Sequence, residues 1–104
     1  MVNIQTMIEV IQSETFQKWR TGLKDPSVRA RINARIRRLS EGNPGDVKPV
    51  GEGISEMRIH YGPGDRVCYL QRGHVFIVLL ASGDQSTQDT DIKRALKIAQ
   101  DWKA

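Results

Sequence analysis

Glu56, Arg58 and His60 stand two residues apart along one stretch of chain, and Arg66 follows them across Gly62-Pro63-Gly64. Residues spaced by two share one face of a strand, so a hairpin here gathers a carboxylate, an imidazole and two guanidinium groups on one wet side. Metal-free RNA cleavage needs that range of groups: a base for the 2′-hydroxyl proton, an acid for the leaving 5′-oxygen, and cations around the developing phosphorane charge. Imidazole titrates near neutrality, which suits His60 to either proton-transfer role. Arg58 and Arg66 can hold phosphate oxygens bidentately. Glu56 can act as the complementary acid or base, or can orient an arginine. The same residues equally fit a surface cross-strand ion pair with His60 as a bystander, since clustered charges also occur in purely structural networks.

Other chemistries lack their residues. No GxxxxGK[ST] segment is present to cradle a nucleotide, and Gly62-x-Gly64 stands at a hairpin instead of a strand-to-helix turn. His60, His74 and the single Cys68 fall into no zinc-binding spacing. The expectation is therefore no metal and no cofactor. One cysteine also excludes an internal disulfide and fits a reducing cytoplasm. No apolar run reaches the roughly 18 residues of a spanning helix, and Met1 to Val10 lacks the basic start and long apolar stretch of a leader. No membrane association is expected.

The formal net charge is +4, and residues 1–50 hold nine Lys/Arg against five Asp/Glu. Arg29, Arg31, Arg35, Arg37 and Arg38 lie in an acid-free stretch from Pro26 to Ser40. Arg31, Arg35 and Arg38 recur at i, i+4 and i+7, so they share one side of a helix. They are the candidate RNA- or phosphate-binding residues. A polyanion, an acidic protein partner and a solvated helix face all remain open for them.

The elements that must position these groups follow from pattern. Met7 to Ile11 suits a first strand, and Ser13 offers an oxygen to cap a helix carrying Phe16, Trp19 and Leu23. Asp25-Pro26 opens a second helix, whose stripe Val28, Ile32, Ile36 and Leu39 faces the core; Gly42 ends it. Asn43 to Gly53, with Pro44, Pro49 and three glycines, reads as a loop. Glu56 to Tyr61 alternates as a strand, Arg66 to Gln71 makes the next, and Val75 to Ala81 is apolar enough for a central one. Placing both apolar pairs on one face sets Ile59 opposite Val67 and Met57 opposite Tyr69, hence His60 opposite Arg66 and Arg58 opposite Cys68. Ser86 and Asp89 resemble a capping box for a C-terminal helix marked by Ile92, Ala95, Leu96, Ala99 and Trp102. The expected fold is one α+β domain over residues 1–104: a small antiparallel sheet with an N-terminal helix pair and a C-terminal helix, order β-α-α-β-β-β-α.

Three segments carry a resemblance to a known family: Gly53-Ile54-Ser55-Glu56-Met57-Arg58-Ile59, then Gly62-Pro63-Gly64-Asp65-Arg66-Val67, then Ser82-Gly83-Asp84-Gln85-Ser86-Thr87-Gln88 with Asp91-Ile92 and Ala95. In their order they resemble the RelE/ParE toxin superfamily, specifically the HigB-like group of addiction module killer proteins, over roughly residues 7 to 100. The resemblance implies the toxin of a type II toxin–antitoxin system. It implies endonucleolytic cleavage of mRNA on the ribosome by basic residues on the sheet, without a metal. A cognate antitoxin would neutralise the toxin, and operator DNA would be bound only through the antitoxin complex. Relatives of the ParE type poison DNA gyrase instead, and a binding module of the same fold is the remaining alternative. Arg66 matches the superfamily's phosphate-contacting arginine, and Arg58 a basic position on the preceding strand. The sequence departs from the pattern at Asp65, where an aromatic residue is common, and at Gln85, where a lysine is common. Its end, Asp101-Trp102-Lys103-Ala104, lacks the Tyr or His that some ribonuclease members carry.

Overall fold

The computed structural model describes residues 7–102. The leader reading over Met1 to Val10 and the comparison of the C-terminal Asp101 to Ala104 therefore fall partly outside the described residues.

The first strand, β1 (Glu9–Gln12), ends where Ser13 accepts a hydrogen bond from Phe16 N and starts α1 (Glu14–Thr21). Asp25 caps α2 (Pro26–Ser40) by accepting from Ser27 N, with Pro26 in the first turn, where its missing N–H costs nothing. Gly42, just past the helix end, takes φ +88°, the left-handed conformation that stops a helix readily at glycine. Four strands follow: β2 (Val47–Gly51), β3 (Ile54–Arg58), β4 (Arg66–Arg72) and β5 (Phe76–Gly83). A short 3-10 turn (Gln85–Thr87) leads into α3 (Gln88–Gln100).

The fold is α+β, as the sequence indicates, with two differences in the sheet. It has five strands in the order β1-β5-β4-β3-β2, and β1 runs parallel to β5, so the sheet is mixed and not wholly antiparallel. The additional strand, β2, lies inside the segment expected to be a loop. It pairs antiparallel with β3 at the sheet edge, and an edge is where Pro49 is tolerated, because the ladder there needs no donor on the outer side.

Helices cover both faces. Phe16 of α1 and Val28, Ile32 and Leu39 of α2 pack on Met57, Val67, Tyr69, Ile77 and Leu79. On the other face, Ala95 and Ala99 of α3 pack on Ile54, Cys68, Leu70, Val78 and Leu80. β5 is thus buried on both sides, which accounts for its apolar run; Val75, expected within it, lies outside and is exposed.

The β3–β4 register differs from expectation by two residues. Met57, not Ile59, stands opposite Val67, and Arg58 stands opposite Arg66. A period-two pattern fixes which face each residue takes but leaves a slip of two undetermined, so the faces were legible and the pairing was not. A second irregularity lies between β4 and β5, where Cys68 pairs with Ala81 but Tyr69 with Leu79. The extra residue, Leu80, makes a bulge that shifts the pattern so that Ala81 and Gly83 face α3. Gly83 is required there, because an added Cβ would overlap Asp91 Oδ2 and Thr87 Oγ1 at the start of α3.

Candidate functional site

On the α3 side of β3, Ile54, Glu56 and Arg58 point the same way, and Arg66 of β4 joins them through the Arg58–Arg66 pair. Beyond the helix, this end of the sheet loses its cover in steps. Side-chain exposure runs from 1% at Glu56 through 18% at Arg66 and 36% at Arg58 to 72% at His60. The site is therefore a rim with one end anchored in the core and the other in solvent.

Glu56 is the anchor. Its Oε1 accepts from Arg66 Nη1 at 3.0 Å, and both its oxygens accept from Gln88 Nε2 at 3.1 Å. Gln88 is the first residue of α3, so the helix start and the hairpin meet on this one carboxylate. The expectation of a wet Glu56 is corrected: α3 closes over it. A carboxylate so enclosed holds Arg66 in place and does not reach a substrate.

Arg58 pairs with Asp46 Oδ1 at 3.1 Å, and His60 Nε2 contacts Asp46 Oδ2. These two contacts, His60 first and Arg58 second, hold the Asp46 carboxyl below its ordinary value, so it stays ionised. With Nε2 on a carboxylate, the imidazole is oriented and Nδ1 is left for proton exchange, the arrangement used where histidine works as acid or base. His60 does not lie between the two arginines, as the expected register had it. It leaves the strand end after Arg58 and sits at the start of the turn.

The arginines themselves stand directly opposite each other across β3–β4. Like charges in that position destabilise a sheet unless counter-charges offset them, and Asp46 and Glu56 do so here. Even so, Arg58 Nε and Arg66 Nε are buried without an acceptor among the described residues. Unpartnered buried donors are uncommon and cost stability, and sites that handle anions are one place they are kept.

Asp65 is buried in the hairpin. Its carbonyl oxygen accepts from Ile59 N and closes the strand end. Its carboxyl is pushed up by burial and by Asp84, and Oδ2 has no partner among the described residues. Gln85 is exposed in the 3-10 turn. The capping box expected at Ser86 and Asp89 is not formed: Asp84 caps the 3-10 turn, accepting from Ser86 N at 2.8 Å and Ser86 Oγ at 2.5 Å, and Thr87, the N-cap residue of α3, makes no side-chain cap hydrogen bond. Ser86 lies inside the 3-10 turn, one residue before the N-cap of α3, so Asp89 stands at the second helical position and not at the third, as the box requires.

The three helix arginines divide. Arg35 is committed to structure, donating to the carbonyls of Arg58, Pro44 and Asp46 at 2.6, 2.9 and 3.3 Å, so it staples α2 to β3 and to the segment before β2. Its proposed phosphate-binding role is corrected accordingly, because its Nη donors are already engaged. Arg31 lies over the Tyr61 ring, 4.0 Å from its centroid, and Arg38 is exposed.

Asp46 and Gln88 are the two site residues that sequence reasoning missed. Asp46 sat in the segment read as a loop, so nothing placed it beside His60. Gln88 gave no charge or spacing signal. No group of three or more His, Cys, Asp or Glu placed to hold a metal ion occurs among the described residues, and no helix among them is long and apolar enough to cross a membrane.

No family model matches the chain, and no solved structure matches it. An uncharacterized protein of Haemophilus influenzae is 47% identical over 94 residues, which span 90% of this chain and 95% of the relative. At that identity and coverage, the chain belongs to the same protein family as the Haemophilus influenzae protein.

Proposed function

We propose that the chain is the toxin of a type II toxin–antitoxin system, a cytoplasmic, metal-independent endoribonuclease that cleaves mRNA on the ribosome and is neutralised by a cognate antitoxin. One observation carries the reading: Arg58 and Arg66 stand directly opposite each other at an open sheet rim, with His60 just beyond them oriented by Asp46. The resemblance of the hairpin and of the Ser82–Gln88 segment to HigB-like toxins supports it.

The arrangement can perform the reaction as follows. His60 removes the 2′-hydroxyl proton, and the 2′-oxygen attacks the adjacent phosphorus. Arg58 and Arg66 stabilise the charge that develops on the phosphorane oxygens, the role that preorganised cations fill best. The P–O5′ bond breaks, water at the open rim protonates the leaving oxygen, and the products are a 2′,3′-cyclic phosphate and a 5′-hydroxyl. Glu56 and Gln88 hold Arg66 without taking part in proton transfer.

A second reading, a toxin of the same fold directed at DNA gyrase or a pure binding module, is favoured by the pairing of Arg66 with Glu56 and Arg58 with Asp46, which neutralises both cations. Expression without antitoxin separates the two. The ribonuclease reading expects mRNA integrity and translation to fail first; early loss of DNA supercoiling with intact mRNA overturns it. In the inhibited state operator DNA is bound only through the antitoxin complex.

A further inference from the structure

Between α2 and the β3–β4 turn lies a groove of about 270 Å³. Its helix side consists of Arg31, Ala34, Arg35 and Arg38, residues at i, i+3, i+4 and i+7, and its other side is the turn, with His60 and Tyr61. Ala34 supplies the depression, being the one small side chain among long ones. Arg35, fixed on three backbone carbonyls, makes a rigid floor. No carboxylate lines the groove.

We infer that this groove binds one nucleotide of single-stranded RNA beside the scissile phosphate, its base on the Arg31 guanidinium plane and its phosphate on Arg38. This deepens the ribonuclease reading and rests on it. The volume lies just below the range of roughly 300–1,000 Å³ for small-ligand sites, so it takes a single nucleotide unit and excludes a duplex. Single-stranded bases are held by stacking on aromatic rings and on guanidinium planes. Arg31 already lies over the Tyr61 ring, a cation–π contact that helps to order the guanidinium, while the residue stays exposed. Arg38 is exposed and has no hydrogen-bonded or ion-paired carboxylate among the described residues. Arg31 is likewise unpaired, so neither cation is neutralised as Arg58 and Arg66 are. His60 belongs to both places, contacting Asp46 at the rim and lining the groove. His60 thus links the groove, on the α2 side of the sheet, to the arginine pair on its α3 side.

The test uses a short 2′-O-methyl oligonucleotide, which lacks the nucleophile and reports binding alone. Its affinity is measured against salt concentration for the full chain and for Arg31→Gln, Arg38→Gln and Tyr61→Leu, with thermal midpoints to establish that each variant is folded. Arg38→Gln should flatten the salt slope by about 0.7, the loss of one single-strand phosphate contact. Arg31→Gln and Tyr61→Leu should weaken binding roughly tenfold, as loss of a stacking platform does. Unchanged affinity and slope in folded variants overturn the groove and leave the cleavage reading standing. Lost oligonucleotide binding in a protein whose parent cleaves no mRNA upholds the groove and overturns the nuclease. If the variants lose affinity for a glutamate-rich peptide and keep it for the oligonucleotide, the groove is a protein-docking surface and the inference fails.

Discussion

Arg66 Nη1 donates to Glu56 Oε1 at 3.0 Å, and the carboxylate it meets is 1% exposed. The residue best placed to touch phosphate is therefore also the counter-charge of a buried anion, and these two duties cannot be separated by truncation. Removing one partner of a buried pair leaves an uncompensated charge, at a cost of about 3 kcal/mol or more.

Arg66→Ala is accordingly expected to lower stability by about 3 kcal/mol, with Gln88 the remaining side-chain donor to Glu56. Adding Glu56→Gln should restore most of the loss. Urea unfolding of the two single variants and the double variant checks this; simple additivity of the single effects contradicts the coupling.

Asp46 sets an acid-dependent contribution. His60 and then Arg58 hold its carboxyl below the ordinary value of 3.8. A lowered folded value means stability that is present above the unfolded value and is lost as pH falls through the folded one. The advantage of the parent over Asp46→Asn should therefore be full at about pH 5 and shrink below about pH 4. A constant advantage across that range in thermal unfolding contradicts the pairing.

Asp65 has the opposite sign. Burial, then Asp84, raises its carboxyl above 3.8. Stability is fully present below the unfolded value and is lost as pH rises through the folded one, because ionising the carboxyl favours the unfolded chain. Asp65→Asn is expected to raise the thermal midpoint at neutral pH and to give no gain at about pH 3. A lower midpoint at neutral pH would mean that the ionised carboxylate has a partner.

Cys68 is enclosed between the sheet and α3, directly opposite Glu56 and Ala81. Burial first, and then the Glu56 charge, pushes its thiol up to about 12. The thiolate is the reactive form, so the folded protein should resist alkylation at neutral pH and react only on unfolding. The raised value also means stability lost as pH climbs from the ordinary thiol value of 9.0 toward about 12. Rapid alkylation of folded protein contradicts this placement.

The sequence carried the helices, the caps at Ser13 and Asp25, and the face taken by the residues of β3 and β4, because these depend on local spacing and local hydrogen bonds. It did not carry β2, whose Pro49 and flanking glycines resemble a loop until an edge position makes them acceptable. With β2 went Asp46, and with Asp46 the orientation of His60. Glu56, Arg58, His60 and Arg66 were identified as one group, and they do lie along one rim. Their division into a buried anchor, an opposed arginine pair and an exposed imidazole depended on the two-residue choice of register and on how far α3 reaches, and neither is written in the alternation. Arg35 shows the same limit on α2: its spacing matches that of Arg31 and Arg38, but only the tertiary structure commits its donors to carbonyl oxygens.

The most direct measurement is end-mapping of mRNA incubated with ribosomes in magnesium buffer and the purified chain, the chain having been treated with EDTA and desalted beforehand, comparing the parent with Arg66→Lys and His60→Ala. Lysine keeps the charge on Glu56 but loses the bidentate fork. The expected result is cleavage by the EDTA-treated parent that leaves 2′,3′-cyclic phosphate and 5′-hydroxyl ends, slowed by roughly 10²-fold or more in His60→Ala and strongly slowed in folded Arg66→Lys. Intact mRNA with the parent, or equal cleavage by all three proteins, would contradict a ribonuclease built on this rim.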